Sequence, residues 1–340
     1  MKTLRPALYL LLGGLLTVIG LELTLRLLPV SSATMVDYHV SPTILTYPPH
    51  HDFTVSTGWD MKNAQRLRSN NFGFVDTQDF VPNPSAIAVI GDSFVEANML
   101  APDQRVGPAL ARVLNNATVY SLGGPGSSLL DYAERAQLAS QQWGVQRFVF
   151  VLEVGDVRQA LCGSGNHQGP CITPGSGALE AFRRPAASGL KTWARHSALA
   201  QYVFSQLKFN PSALLASLRS KKTAQHTGEN QSDPVSPQLA RAIIARFIDA
   251  LPPTAQPPVL LIDGPRGRSS TDMSWNLAHM ALLKEMAETA GARMIDLAPR
   301  FDAWHATSAL SLEVGPYDGH WNPIGHQIAA EAAAEALRGD

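Results

Sequence analysis

From residue 86 onward, apolar positions fall into two alternating patterns. Short unbroken runs rich in β-branched and aromatic residues stand at Ala86–Ile90 (AIAVI), Ala117–Leu122, Arg147–Leu152 (RFVFVL), Pro258–Ile262 (PVLLI) and Arg293–Leu297 (RMIDL). Runs this short, with no polar alternation, predict strands buried on both faces. Between them the apolar positions recur at helical spacing over Gln104–Leu114, Leu129–Gln142, Gln238–Leu251, Met273–Ala290 and Pro323–Leu337. Strands alternating with helices predict an α/β fold, a three-layer α/β/α sandwich with a mainly parallel five-stranded sheet.

Three stretches depart from this pattern. In residues 1–30, Lys2 and Arg5 precede an apolar run from Ala7 to Leu21, and Glu22 and Arg26 interrupt its continuation toward Pro29. Spanning a bilayer takes roughly 20 apolar residues, so a signal-anchor helix here must include both charges. They lie four apart and can pair, or Arg26 can snorkel to the far interface. Positive residues ahead of the run stay cytoplasmic, so a single-pass membrane anchor with a periplasmic or other extracytoplasmic domain is expected. A signal peptide cleaved beside Ser31 and Ala33 is the alternative, and it exports the domain as well. Residues 31–84, rich in Pro, Asn, Ser and Thr, read as an extended segment leading into a domain over 85–340.

The third stretch is an insertion at about 163–236. It is expected over the C-terminal edge of the sheet, where substrate selection usually resides, or as a solvent-exposed decoration. Its last part, Lys221–Ser236 (KKTAQHTGENQSDPVS), is too poor in apolar residues to pack and is expected to be mobile. Cys162 and Cys171 bracket GSGNHQGP at its start. In an exported chain they are expected to form a disulfide, with two unpaired buried thiols as the alternative. His167 alone is too few further ligands for zinc.

Composition narrows the function classes. The chain has a net charge of −1 and only 16% charged residues, so it offers no basic surface for a nucleic acid. No Gly-rich phosphate loop comes after the first strand, which argues against a nucleotide. His50, His51 and Asp52 have metal-ligand chemistry, but in a Pro-rich segment they read as solvated, and no metal is expected.

Directly after the first strand stands Gly91-Asp92-Ser93-Phe94. A turn there lifts the Ser93 hydroxyl above the C-terminal edge of the sheet, beside backbone N–H groups able to hold an oxyanion. A serine hydroxyl is a weak nucleophile until an imidazole takes its proton, so a histidine is required elsewhere. Tyr317-Asp318-Gly319-His320-Trp321-Asn322-Pro323 supplies one, just before the last predicted helix. In extended backbone Asp318 and His320 point to one side, so Asp318 can hold Nδ1–H and leave Nε2 to face Ser93. Asp92 and Asp156 are expected to brace loops; Asp263 and Asp296, at strand ends, are reserve carboxylates more in keeping with capping. Asn322 and His326 are expected to start and stabilise the last helix.

These blocks resemble the SGNH/GDSL hydrolase superfamily over about residues 85–340. Gly91-Asp92-Ser93 is similar to its first block, and Asp318 to His320, with Asn322-Pro323 and Gly325-His326, is similar to its last. Asn70-Asn71-Phe72-Gly73-Phe74 resembles the N-x-x-G-[FY] lead-in of membrane-anchored members. The resemblance implies a flavodoxin-like fold and cofactor-free cleavage of acyl or acetyl esters, often on carbohydrates or lipids, or transfer of the acyl group. It also implies an oxyanion hole built from the N–H groups of Ser93 and Gly126, or of Gly123 or Gly124 in place of Gly126. The third block departs from the family. Where G-x-N-D is usual, the chain reads Glu153-Val154-Gly155-Asp156, so the asparagine donor is missing. Losing one such donor costs about 3 kcal/mol of barrier. Gln159 or Asn166 can supply a substitute amide, a water can fill the gap, or the domain can be a degenerate glycan-binding or assembly module. The D-x-H spacing of the last block resembles branches tied to polysaccharide acetylation.

Overall fold

The computed structural model describes residues 4–164, 169–181, 188–207, 209, 235–264, 270–315 and 318–339. The larger of two compact units comprises residues 36–51, 68–184 and 229–340. Its centre is a parallel sheet of β1 (Ile87–Gly91), β2 (Val119–Gly123), β3 (Arg147–Leu152), β4 (Val259–Ile262) and β5 (Arg293–Asp296), in the order β2-β1-β3-β4-β5. That order is the doubly wound, flavodoxin-like one, with its switch point between β1 and β3.

Continuous apolar runs are needed because each strand faces two layers of helices. Ala88 and Ile90 of β1, Phe148 and Phe150 of β3, and Leu260 and Ile262 of β4 enter one core. Helices Leu129–Trp143, Pro237–Asp249 and Ser270–Thr289 cover that face. The alternate residues Ile87, Val89, Val149, Val151, Val259 and Leu261 enter a second core, under helices Val106–Val113, Ala298–Thr307 and Pro323–Arg338. The period of two in strand side chains thus sorts one apolar run into two cores.

Several elements differ from the sequence reading. The helix expected from Gln104 starts at Val106, after a 3-10 turn over Pro102–Gln104. Ala298–Thr307 is an additional helix; only Phe301 in it is fully buried, which leaves no readable apolar stripe. Strands Glu313–Gly315 and Asp318–Trp321 pair antiparallel where a loop was expected. Within 31–84, Asp52–Thr57 and Lys62–Arg68 form a two-stranded sheet.

Cys162 and Cys171 are disulfide-bonded, with Cα atoms 5.0 Å apart. The bridge stands beside the short pair of strands Pro170–Ile172 and Leu179–Ala181. Of the segment expected to be mobile, residues 221–234 lie outside the described residues.

The smaller unit comprises residues 1–35, 52–67 and 185–228. It holds the helix Leu4–Leu27, most of the two-stranded sheet, and helical segments Gly189–Ala194, Ala198–Ala200 and Gln201–Gln206.

Candidate active site

Ser93 is the first residue of a one-turn helix, Ser93–Glu96, that begins two residues after β1 ends. Asp92 caps it, its Oδ1 accepting the Phe94 N–H at 2.9 Å. The turn is tight because β2 ends alongside it in two glycines. A Cβ on Gly123 would stand 2.2 Å from the Glu96 backbone nitrogen. The Gly124 N–H donates to the carbonyls of Gly91 and Asp92 at 3.2 and 3.3 Å. Beneath the turn lies Arg135, a buried arginine on the Leu129–Trp143 helix. Its Nη1 donates to the Gly91 carbonyl at 2.8 Å and to Ser127 Oγ at 2.9 Å. Burial lowers the pKa of Arg135, and nearby Asp131 works against that shift.

The second half of the site comes from strand Asp318–Trp321. Alternation sends Trp321 inward, where it is fully buried, and turns Asp318 and His320 to the other side. The Trp321 Nε1–H donates to Asp263 Oδ1 at 2.9 Å, which locks the strand from below. Phe94 packs on both the imidazole and the indole, with ring centroids 4.8 and 5.1 Å away.

The result is a continuous chain of contacts. His320 Nε2 lies 2.7 Å from Ser93 Oγ, and His320 Nδ1 lies 2.5 Å from Asp318 Oδ1. The same Asp318 oxygen accepts the His320 backbone N–H at 3.0 Å. The hydrogen bond from His320 holds the Asp318 carboxyl below its usual pKa, against partial burial. Asp318 is therefore the anion of the chain, and the tautomer with a proton on Nδ1 leaves Nε2 as acceptor for the serine proton. Asp92 is the opposite case: burial pushes it up to about 6, the Phe94 N–H opposing and Glu153 adding to the rise.

The loop after β3 carries the departure from the family pattern. Asp156 is buried; its Oδ2 accepts the Glu153 N–H at 2.9 Å and its Oδ1 accepts the Tyr132 hydroxyl at 3.1 Å. Burial holds it well above the usual carboxylate range, with Asp92 and Glu153 adding to the rise. A Cβ on Gly155 would meet Gln159 Nε2 at 2.9 Å. The Gln159 amide thus occupies the space in which an asparagine side chain at 155 would begin. Its Nε2 donates to Glu153 Oε2 at 3.2 Å, which uses one of its two hydrogens. Asn166, the other candidate amide, lies outside the described residues. Of the candidate glycines, Gly124 has its N–H engaged below the turn, whereas Gly126 is exposed with φ +66°.

The remaining candidates have structural partners. Asp296 Oδ1 accepts the Ala298 N–H at 2.9 Å and Asp263 holds Trp321, so neither reserve carboxylate is bonded to His320. Asn322 caps the last helix, accepting from Ile324 and Gly325 N–H at 3.0 and 3.1 Å. In the lead-in, Asn70 Oδ1 accepts from Phe72 and Phe74 N–H at 2.9 and 3.0 Å. Gly73 sits at φ +77°, where a Cβ would be 2.0 Å from the Tyr47 carbonyl. That motif is a folded brace rather than a chemical group. His50 faces Asp79 at 3.8 Å. Sequence reasoning missed Arg135 and Glu96. The one signal for Arg135 was a charge at helical spacing from the apolar positions Tyr132 and Ala139 of its helix.

Sheet order, a serine turn after β1, and an Asp-x-His strand before the last helix define a doubly wound α/β domain in which Ser93, His320 and Asp318 are in contact. No protein-family model and no curated protein matches the chain. Among solved structures, the chain is similar to an acetyl xylan esterase variant from Geobacillus stearothermophilus. Identity is 13%, covering 74% of this chain and 94% of that one, with a TM-score of 0.40. It is similar to a G-D-S-L family lipolytic protein from Desulfitobacterium hafniense at 11% identity, 74% and 98% coverage and a TM-score of 0.38. It is also similar to the catalytic domain of peptidoglycan O-acetyltransferase A from Streptococcus pneumoniae, at 12%, 76% and 94%, and 0.38. At those scores the likeness is distant, and the chemistry rests on this chain's own residues.

Proposed function

We propose that this protein is a membrane-anchored, extracytoplasmic serine esterase or deacetylase that cleaves acyl esters, acetyl esters of a carbohydrate first among them. The observation that carries the reading is the unbroken Ser93–His320–Asp318 contact chain at 2.7 and 2.5 Å. In the mechanism, His320 Nε2 takes the Ser93 proton as Oγ attacks the ester carbonyl. The tetrahedral oxyanion accepts hydrogen bonds from the N–H groups of Ser93 and Gly126, with the Gln159 amide as third donor. His320 returns the proton to the departing alcohol, Asp318 stabilising the imidazolium meanwhile. Water, activated by His320, then releases the acid from the acyl-serine.

Transfer of the acyl group to a hydroxyl of an envelope glycan shares every step up to the acyl-enzyme. Gly155, in place of the asparagine donor, favours a second reading, a degenerate domain that binds glycan without cleaving it. Support for export comes from Lys2 and Arg5 ahead of a 20-residue apolar helix, Leu8–Leu27, of mean hydropathy 2.0, and from the disulfide.

The test is hydrolysis of p-nitrophenyl acetate by the full chain in detergent, beside Ser93→Ala and His320→Ala. Turnover that falls to background in both variants supports the esterase. Equal inactivity of all three, with no labelling of Ser93 by a fluorophosphonate, supports the binding module instead.

A further inference from the structure

The smaller unit contains a feature that catalysis does not use. Helix Leu4–Leu27 carries an apolar stretch, Leu8–Leu27, on which Leu10, Leu11, Leu16 and Leu23 are each at least 60% exposed. Within it stands Glu22, a residue that is expensive to place in a bilayer unless its charge is matched. Glu22 Oε1 accepts from Arg26 Nε at 2.7 Å and from the Ala198 N–H at 3.1 Å. Its Oε2 accepts from Ser197 Oγ at 2.8 Å and the Leu199 N–H at 2.9 Å. Arg26 Nη2 in turn donates to the His196 carbonyl at 3.2 Å. The start of the 198–206 helical segment is therefore clamped to the apolar helix at the level of residue 22.

That level matters. Glu22 lies five residues before Leu27, so at 1.5 Å rise per residue it sits about 7 Å below the end of the apolar stretch. If the helix spans the bilayer, its partner segment must enter the headgroup and upper acyl region with it. The composition of the segment suits that depth. Trp193 is 68% exposed and Phe204 55%, and the same unit exposes Trp59 at 75%. Tyr202 Oη and Gln206 Nε2 donate to the carbonyls of Trp59 and Gly58, fastening that turn to the segment. Residues 188–209 contain Lys191, Arg195 and Lys208 and no carboxylate. Exposed aromatic residues beside a positive, carboxylate-free stretch are the chemistry of a surface that sits at a lipid interface.

We infer that residues 188–207 and the Trp59 turn form a membrane-embedded collar around the outer end of the anchor helix, seated among anionic lipids. The inference rests on the reading of Leu8–Leu27 as a span; it is independent of whether Ser93 cleaves esters. Apolar residues that a soluble domain would hide are here the ones in contact with lipid, and Glu22 is the post that fixes their depth.

The test uses the full chain, in which the described cysteines are paired in the disulfide. Single cysteines replace Trp193, Phe204, Leu15 and Leu310, carry a nitroxide, and are reconstituted in phosphatidylglycerol-containing liposomes. Relaxation by oxygen, which concentrates in lipid, is compared with relaxation by a water-soluble nickel chelate. Labels at 193 and 204 are expected to favour oxygen several-fold, as at 15, while 310 favours nickel. Labels at 193 and 204 that match 310 while 15 favours oxygen overturn the collar and leave the span. Labels at 193 and 204 shielded from both reagents overturn it in favour of a protein contact. A nickel-accessible label at 15 removes the span and the collar together.

Discussion

Asp318 does two things with one oxygen: it accepts Nδ1–H of His320 and the backbone N–H of the same residue. The imidazole is therefore fixed in orientation before any substrate arrives. Asp318→Asn keeps the shape but favours the wrong tautomer, so kcat for p-nitrophenyl acetate is expected to fall by about 10²–10⁴ with little change in KM. Gln159 makes a sharper case, because its amide stands where residue 155 has no side chain. Gln159→Ala is expected to lower kcat by about 10²-fold, the usual loss for one oxyanion donor. Gly155→Asn in that background should recover part of the loss, since the space is then vacant and the amide returns from the other position. No recovery, or no effect of Gln159→Ala, points to water as the third donor. The Asp318–His320 contact was legible in the sequence because its spacing is local: the two residues are two apart in extended backbone. The place of the Gln159 amide beside residue 155 was legible only as one of two amides in the neighbourhood. That Gln159 reaches position 155 depends on a helical turn, Asp156–Gln159, that four residues do not announce.

At the level of elements, the Ser93 turn is held from beneath by a buried side chain. Arg135 ties the end of β1 to the Ser127 turn, and its removal leaves the Gly91 carbonyl buried with one fewer donor. Arg135→Met is expected to destabilise the domain by about 3 kcal/mol, read as a lower urea midpoint with m unchanged. Asn322 is a milder case. Asn322→Ala removes the cap of the last helix and should cost about 1 kcal/mol in the same measurement. The five sheet strands and most helices were readable to within a few residues, because burial on both faces demands unbroken apolar runs. The strand Asp318–Trp321 was not, since its sequence DGHW carries one inward residue and takes its partner from Glu313–Gly315.

Across the larger unit, buried carboxyl groups near the Ser93 turn set how stability depends on pH. Burial raises Glu96 to about 7, offset in part by Arg105, and raises Asp92 and Asp76 to about 6. The folded protein thus keeps protons that the unfolded chain gives up near pH 4 to 4.5. Stability from these groups is complete below that range and is lost as pH rises toward 7. Asp318, held low, works in the other direction: its contribution is present above its unfolded pKa and is lost on acidification through its folded one. Glu96→Gln, which keeps shape without titrating, is expected to flatten the decline in urea midpoint between about pH 4.5 and 7. An unchanged slope would assign the decline to Asp92, Asp76 and Asp156.

Periodicity and composition alone determined the alternation of strand and helix, the apolar N-terminal helix, and the residue types able to act as nucleophile and base. These depend on neighbours a few residues away, and a sequence displays such neighbours directly. Tertiary structure alone decided that Ser93 and His320 meet at 2.7 Å, although 227 residues separate them. It decided that Asp263 supports an indole, that Arg135 lies beneath the turn, and that Glu22 has partners 175 to 177 residues away. The physical reason is common to all of these. A buried charge or hydroxyl must find its partner wherever the fold brings one, and that distance has no period along the chain.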